Sequence, residues 1–142
     1  MNNKKIESNY YQGKLHGTYK TYNLFGLTKE CYYVMDTLHG DYKEYTFDWH
    51  DKSHLYISCH YSNGLLEGEY IHNFQYSSAP WIKGCYKNGK RNGTFTKYFD
   101  KTDYRVTSQE GIECQSYYVD GKLSGLHREW NKEGNLVREI HV

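Results

Sequence analysis

No run of apolar residues in this chain approaches the length needed to cross a bilayer, and proline occurs once, at Pro80. An excess of either charge is missing too: 18 Lys and Arg stand against 17 Asp and Glu, giving a formal net charge of +1 and a pI near 7.7. That balance excludes the electrostatic footprint of a chain built to hold nucleic acid or an anionic membrane. Residues Met1 to Glu7 carry two lysines with no apolar stretch after them, so they read as neither a secretory signal nor an anchor. The expectation is an intracellular, cytoplasmic chain. Tyrosine, by contrast, is plentiful: 17 of the 142 residues are Tyr, and aromatics reach 18% while mean hydropathy is only −0.96. This composition describes a hydrophilic all-β protein whose interior is made of rings more than aliphatic side chains.

The stretch Tyr61-Ser-Asn-Gly64-Leu-Leu66-Glu-Gly68-Glu-Tyr70 organises the rest, because four other segments repeat its spacing. Counted from an anchor at offset zero, the anchors are Tyr10, Tyr33, Tyr61, Tyr86 and Tyr118. Offset three is Gly13, Gly64, Gly89 or Gly121, with Asp36 in the second copy, and offset five is Leu15, Leu38, Leu66 or Leu123, with Arg91 in the fourth. Offset seven is Gly17, Gly40, Gly68, Gly93 and Gly125 without exception, and offset nine is Tyr19, Tyr42, Tyr70, Phe95 or His127. Five copies in one chain indicate units that cannot bury their own faces and must stack on their neighbours, so residues 1–142 read as one repeat domain.

Each copy reads as a β-hairpin. Asn63-Gly64, Asn88-Gly89 and Asp120-Gly121 accept two successive positive φ angles and so favour the two-residue type I′ turn. An unbroken hairpin from that turn pairs offset zero with five, minus two with seven, and minus four with nine. The second glycine is then expected to face Ser8, Cys31, Cys59, Gly84 or Ser116, all small, leaving a trough that the rings cover. The opposite face carries Lys14, His16, Thr18, Lys20 and their equivalents, and is expected to be solvated. Cys31, Cys59 and Cys114 share the anchor phase and Cys85 does not. Equivalent positions lie two strands apart, roughly 10 Å, too far for a disulfide, so the cysteines read as small core residues.

The links between hairpins differ. Phe25-Gly26 and Glu133-Gly134 are tight turns, whereas residues 46–54, 73–81 and 99–111 are longer and must lie together on the rim opposite the hairpin tips. Such loops either carry recognition or are tolerated insertions, and both readings stand. The first strand, Lys4 to Tyr11, and the last, ending in Arg138, Glu139 and His141, are charged enough to discourage open-ended strand addition.

The pattern in Tyr86-Lys-Asn-Gly89-Lys-Arg-Asn-Gly93-Thr-Phe95-Thr-Lys-Tyr98 resembles the MORN repeat (membrane occupation and recognition nexus). It is most similar to the variant found in YwqK-family antitoxin proteins and in many bacterial and giant-virus proteins, and the resemblance covers essentially the whole chain. It implies an elongated single-layer antiparallel meander, here of about ten to eleven strands, with an aromatic-lined groove. It also implies roles in protein scaffolding, dimerisation or phospholipid contact. Asp36, Arg91, His127 and Asn73, at offset twelve, depart from the pattern, and each is expected to weaken its own contact.

Little here points to catalysis. Asp48, His50, Asp51 and His54 share a loop in a spacing that matches no metal site and read as polar surface residues. Cys59 and His60 are strand neighbours pointing to opposite faces, which removes a nucleophile and base pairing. His16 and His39 lie two strands apart, and no glycine-rich loop leads into a helix. The expectation is a protein that is not an enzyme, with no metal and no cofactor. The leading reading is a protein-interaction scaffold whose ring face, through Tyr19, Tyr42, Tyr61, Tyr70, Tyr86 and Phe95, takes a protein partner or a second copy of the chain. The alternative is a membrane-surface adaptor using Lys14, Lys20, Lys43, Lys90 and Lys122, against which Glu44, Glu67, Glu69 and Glu129 interleave. Antitoxin-like binding of a partner protein follows from the resemblance alone.

Overall fold

The computed structural model describes residues 4–142; the first three residues of the domain, and of the N-terminal stretch read as lacking a signal, lie outside the described residues. Alternating rings and polar residues, broken at short intervals by turn glycines, suit strands and nothing else, and no helix forms among the described residues. The strands are β1 (Lys5–Glu7), β2 (Tyr10–Tyr11), β3 (Lys14–Leu15), β4 (Gly17–Asn23), β5 (Gly26–Val34), β6 (Thr37–Leu38), β7 (Gly40–Phe47) and β8 (Ser53–Ser62). They continue as β9 (Leu65–Leu66), β10 (Gly68–Asn73), β11 (Pro80–Lys87), β12 (Lys90–Arg91), β13 (Gly93–Tyr98), β14 (Ile112–Val119), β15 (Lys122–Trp130) and β16 (Leu136–His141). Eleven of them run in one open antiparallel path, β1-β4-β5-β7-β8-β10-β11-β13-β14-β15-β16. The short β6, β9 and β12 extend the hairpin tips, and β2 and β3 pair separately. The expected first strand is thus divided at Ser8 and Asn9, where the Asn9 side chain donates to the Thr18 carbonyl at 3.0 Å.

All five turns have successive positive φ angles, including Gln12-Gly13 and Met35-Asp36, where the sequence gives a weaker signal. Offset zero faces offset five as expected: Tyr33 opposite Leu38, Tyr61 opposite Leu66, Tyr86 opposite Arg91 and Tyr118 opposite Leu123. Beyond that point the register differs from the unbroken hairpin. Glu30 faces Lys43, Ser58 faces Ile71, Lys83 faces Thr96 and Gln115 faces Arg128, each two residues further along the second strand than a continuous ladder allows.

The second glycine causes the slip. At offset six the ladder still holds, with the amides of His39, Glu67 and Asn92 donating to Tyr32, His60 and Cys85 carbonyls at 2.9 Å. The next residue is Gly17, Gly40, Gly68, Gly93 or Gly125, at φ +108°, +101°, +84°, +100° and +77°. These values are closed to most side chains and open to glycine. The resulting bulge absorbs two residues, so the glycine does not face offset minus two as expected. Within the hairpin, offset nine takes the place opposite the small residue: His127 faces Ser116, and the Glu30–Lys43, Ser58–Ile71 and Lys83–Thr96 pairs set Tyr42, Tyr70 and Phe95 against Cys31, Cys59 and Gly84. In the ladder to the next hairpin the glycine faces the next anchor, Gly17 opposite Tyr33, Gly40 opposite Tyr61, Gly68 opposite Tyr86 and Gly93 opposite Tyr118, and Tyr19 faces Cys31, Tyr42 Cys59, Tyr70 Gly84 and Phe95 Ser116. A Cβ on Gly84 would collide with the Phe95 ring. The small residues make room for rings, while the second glycine supplies a backbone angle.

A second bulge follows in every repeat, with Thr28, Tyr56, Trp81 and Glu113, each five residues before an anchor, as the unpaired residue. Successive hairpins are also joined at their tips. The amides of Asp36, Gly64, Gly89 and Gly121 donate to the carbonyls of Leu15, Leu38, Leu66 and Arg91 at 2.8–2.9 Å. One residue earlier, the amides of Met35, Asn63 and Asn88 donate to His16 Nδ1 at 3.3 Å, His39 Nδ1 at 3.2 Å and Glu67 Oε2 at 2.8 Å. The residues at offset six are therefore struts between repeats. Because the sheet is one layer, its core is thin: among the described residues the buried hydrophobics are Cys31, Cys59 and Phe95.

Two glycines with different reasons give a direct test. Gly93 has φ +100° and empty space around its Cβ position, so Gly93→Ala costs about 1–2 kcal/mol of backbone strain in urea unfolding whatever its neighbours are. Gly84→Ala costs stability by collision, and that cost shrinks in a Phe95→Leu background. Equal coupling of both substitutions to Phe95 would contradict the distinction.

Candidate functional site

Period-two alternation, which a slip of two residues leaves unchanged, puts the rings on one face, where they pack edge to face along the sheet. Ring centroids are 5.4 Å apart for Tyr19 and Tyr33, 5.6 Å for Tyr42 and Tyr61, and 5.5 Å for Tyr70 and Tyr86. Phe95 is 5.5 Å from both Tyr86 and Tyr118, and all these pairs are steeply tilted, at 68–88°. Each such pair is worth about 0.5–1.5 kcal/mol beyond its buried area. Of the rings expected to meet a partner, Tyr42 and Tyr61 touch, as do Tyr70, Tyr86 and Phe95, whereas Tyr19 packs on Tyr33. Phe95 is buried, and the five tyrosines are half-buried with one side open.

A second row on this face is less visible in the sequence. Thr21 and Thr28 hydroxyls bond at 2.7 Å, His72 sits between Tyr56 and Trp81 at 4.7 and 5.1 Å, and Lys97 lies 5.9 Å over the Trp81 ring and 3.3 Å from Glu113. Glu129 meets Arg138 at 3.5 Å. The row begins at the Thr21–Thr28 pair, is aromatic in the middle at Tyr56, His72 and Trp81, and carries both charges at its far end. Tyr56 and Trp81 share an offset, but the residue types differ at every copy, so periodicity gives no sign of them.

The four departures from the pattern each find a substitute contact. The Arg91 guanidinium lies 5.2 Å over both the Phe95 and Tyr118 rings and donates to the Tyr118 hydroxyl at 3.2 Å. His127 Nδ1 and the Ser116 hydroxyl are 2.6 Å apart, replacing ring packing with a hydrogen bond. Asp36 takes a left-handed φ of +69° and its Oδ1 accepts from the Leu15 amide at 2.7 Å. Buried Asn73 donates to the Leu55 carbonyl at 2.9 Å. The expected weakening at these positions is therefore offset locally.

Burial favours the neutral forms of several phenols and thiols of the face and of His72. Burial pushes up the Tyr33, Tyr61 and Tyr70 phenols, and for Tyr42, whose hydroxyl donates to the Glu44 carboxylate, burial and that carboxylate act together. Burial raises the Cys31 and Cys114 thiols and pushes Cys59 up to about 11, which keeps them protonated and poor nucleophiles. Burial also lowers His72. All four cysteines are free, and Cys59 is buried while His60 is exposed beside Asp41 at 3.1 Å. Among the described residues no three His, Cys, Asp or Glu side chains converge as a metal site.

The link rim holds a separate feature. Phe25 and Phe47 pack at 5.9 Å, and Phe47, Asp48, Trp49 and Tyr76 line an open cleft of about 220 Å³. Asp48 is not available as a ligand. Its Oδ1 accepts from the His50 and Lys52 amides at 2.9 and 3.1 Å, and its Oδ2 lies 2.7 Å from His54 Nε2. The His54 contact, with help from the two amides, holds its carboxyl down to about 2. Against known proteins, the chain matches no family model and no curated protein.

A carboxyl whose pKa is lower folded than unfolded contributes stability above its ordinary value near 3.8, and that contribution is lost as pH falls toward 2. Asp48→Asn is therefore expected to lower the urea midpoint at pH 6, with the gap to the unmodified chain closing between pH 4 and 2. A gap that persists unchanged at pH 2 would show that the asparagine disturbs the loop in some other way.

Proposed function

We propose that this chain is a MORN-type repeat protein acting as a non-enzymatic, cytoplasmic interaction scaffold, whose ring face takes a protein partner or a second copy of the chain. The observation that carries this reading is the open aromatic face: one sheet lines up Tyr19, Tyr42, Tyr61, Tyr70 and Tyr86, and among the described residues no second layer covers them. Tyr rings already fixed by edge-to-face neighbours lose little freedom on binding, which favours them as anchors. The second row adds an aromatic centre flanked by hydroxyls on one side and by both charges on the other, a composition that suits a protein interface. Protonated thiols and neutral phenols suit contact more than group transfer. No helix among the described residues is long and apolar enough to cross a membrane.

Mild crosslinking of the tagged protein in its native cell, followed by oxidative footprinting of the purified complex, tests the reading. Tyr42, Tyr61 and Tyr70 are expected to gain protection, and a Tyr42→Ala, Tyr70→Ala variant with an unchanged circular dichroism spectrum is expected to lose the partner. Protection confined to the polar face, or a folded double variant that keeps every partner, would contradict it.

A further inference from the structure

The cleft on the link rim, lined by Phe47, Asp48, Trp49 and Tyr76, belongs to no repeat position and takes no part in the ring face. Trp49 is 93% exposed at the tip of its loop and Tyr76 is 49% exposed on the next, so two large rings project into solvent from separate links. Neither is needed to hold the sheet together. Tyr76 also carries strain. It sits within the turn closed by the Ser77 amide donating to the Phe74 carbonyl at 3.3 Å, and has φ +64°, an angle that is costly for a bulky residue and that glycine adopts freely. A bulky ring kept at such an angle, facing a cleft with two other rings and a carboxylate, has the composition of a cation cage.

The carboxylate decides which cation. Asp48 already accepts three hydrogen bonds, from two amides and at His54, out of about four lone-pair positions. A primary ammonium entering this open cleft would bring three N–H donors and find one protein acceptor at most, so its other donors would stay with water and hold it off the rings. A quaternary ammonium has no N–H to satisfy. It needs aromatic surface and a nearby carboxylate, and the lining supplies Phe47, Trp49, Tyr76 and Asp48. The geometry points to this cleft as a binding site for an alkylated ammonium group, a trimethylammonium head of the kind carried by choline or by trimethylated lysine. This inference does not rest on the ring-face reading, which uses different residues.

The test uses the whole chain and follows the Trp49 indole N–H resonance, assigned by its loss in Trp49→Phe. Tetramethylammonium and choline are expected to shift it saturably, and choline to bind roughly tenfold more tightly than 3,3-dimethyl-1-butanol, its uncharged isostere. Tyr76→Gly removes the ring and relieves the backbone, so it is expected to abolish the shift while leaving the thermal midpoint equal or higher. A trimethyllysine peptide and phosphocholine then distinguish the source, since the one bound more tightly than free tetramethylammonium carries the natural head group. The Tyr42→Ala, Tyr70→Ala variant is expected to bind choline as before. Equal affinity for choline and its neutral isostere, or no saturable shift with either cation, overturns the proposal.

Discussion

Five glycines held at positive φ, one per repeat, set the geometry on which the rest of the sheet depends. Each turns the backbone where an unbroken hairpin would continue, absorbs two residues, and hands the strand to the next repeat with its phase intact. Only after that slip does offset nine stand opposite the small residue of its own hairpin, as His127 does with Ser116 and as the Lys83–Thr96 pair places Phe95 against Gly84. Without it, the glycine would face the small residue and the ring would fall opposite Lys29 or its equivalents. The contact of Phe95 with Tyr86 inside a hairpin depends on that slip, while the pairs Tyr19–Tyr33, Tyr42–Tyr61 and Tyr70–Tyr86 join one hairpin to the next.

A sheet so built has little interior to rely on. With three buried hydrophobic residues among those described, its stability is spread over nearest-neighbour terms: ring pairs, tip amides donating to the previous hairpin, and the offset-six struts His16, His39 and Glu67. Each term is small and local, which explains how the chain tolerates departures. Arg91 replaces a leucine by lying over two rings, and His127 replaces a ring by bonding the serine beneath it. The same openness leaves the tyrosine edges available on the face, so the features that hold the repeats together are also those a partner would meet.

Much of this was legible in the residues. The five anchors, the two glycine positions and the alternation give the repeats, their type I′ turns and the one-sided ring face, because turn chemistry and period-two patterning are local. The register beyond the turn was not, since a glycine read as the absence of a side chain looks the same as one chosen for its φ angle, and the small residue at offset minus two fits either reading. The second bulge was hidden for a different reason: Thr28, Tyr56, Trp81 and Glu113 share a position but no chemistry. The cleft between Trp49 and Tyr76 is formed by two links that lie outside the repeat pattern, so the periodicity does not relate them.

The most direct test of the account is the set of cross-strand backbone NOEs in the isotopically labelled chain. The glycine bulge predicts contacts between Glu30 and Lys43, Lys83 and Thr96, and Gln115 and Arg128. Contacts joining Glu30 to Asp41, Lys83 to Thr94 and Gln115 to Leu126 would show unbroken hairpins, and would contradict both the slip and the placing of offset nine opposite the small residue of its own hairpin.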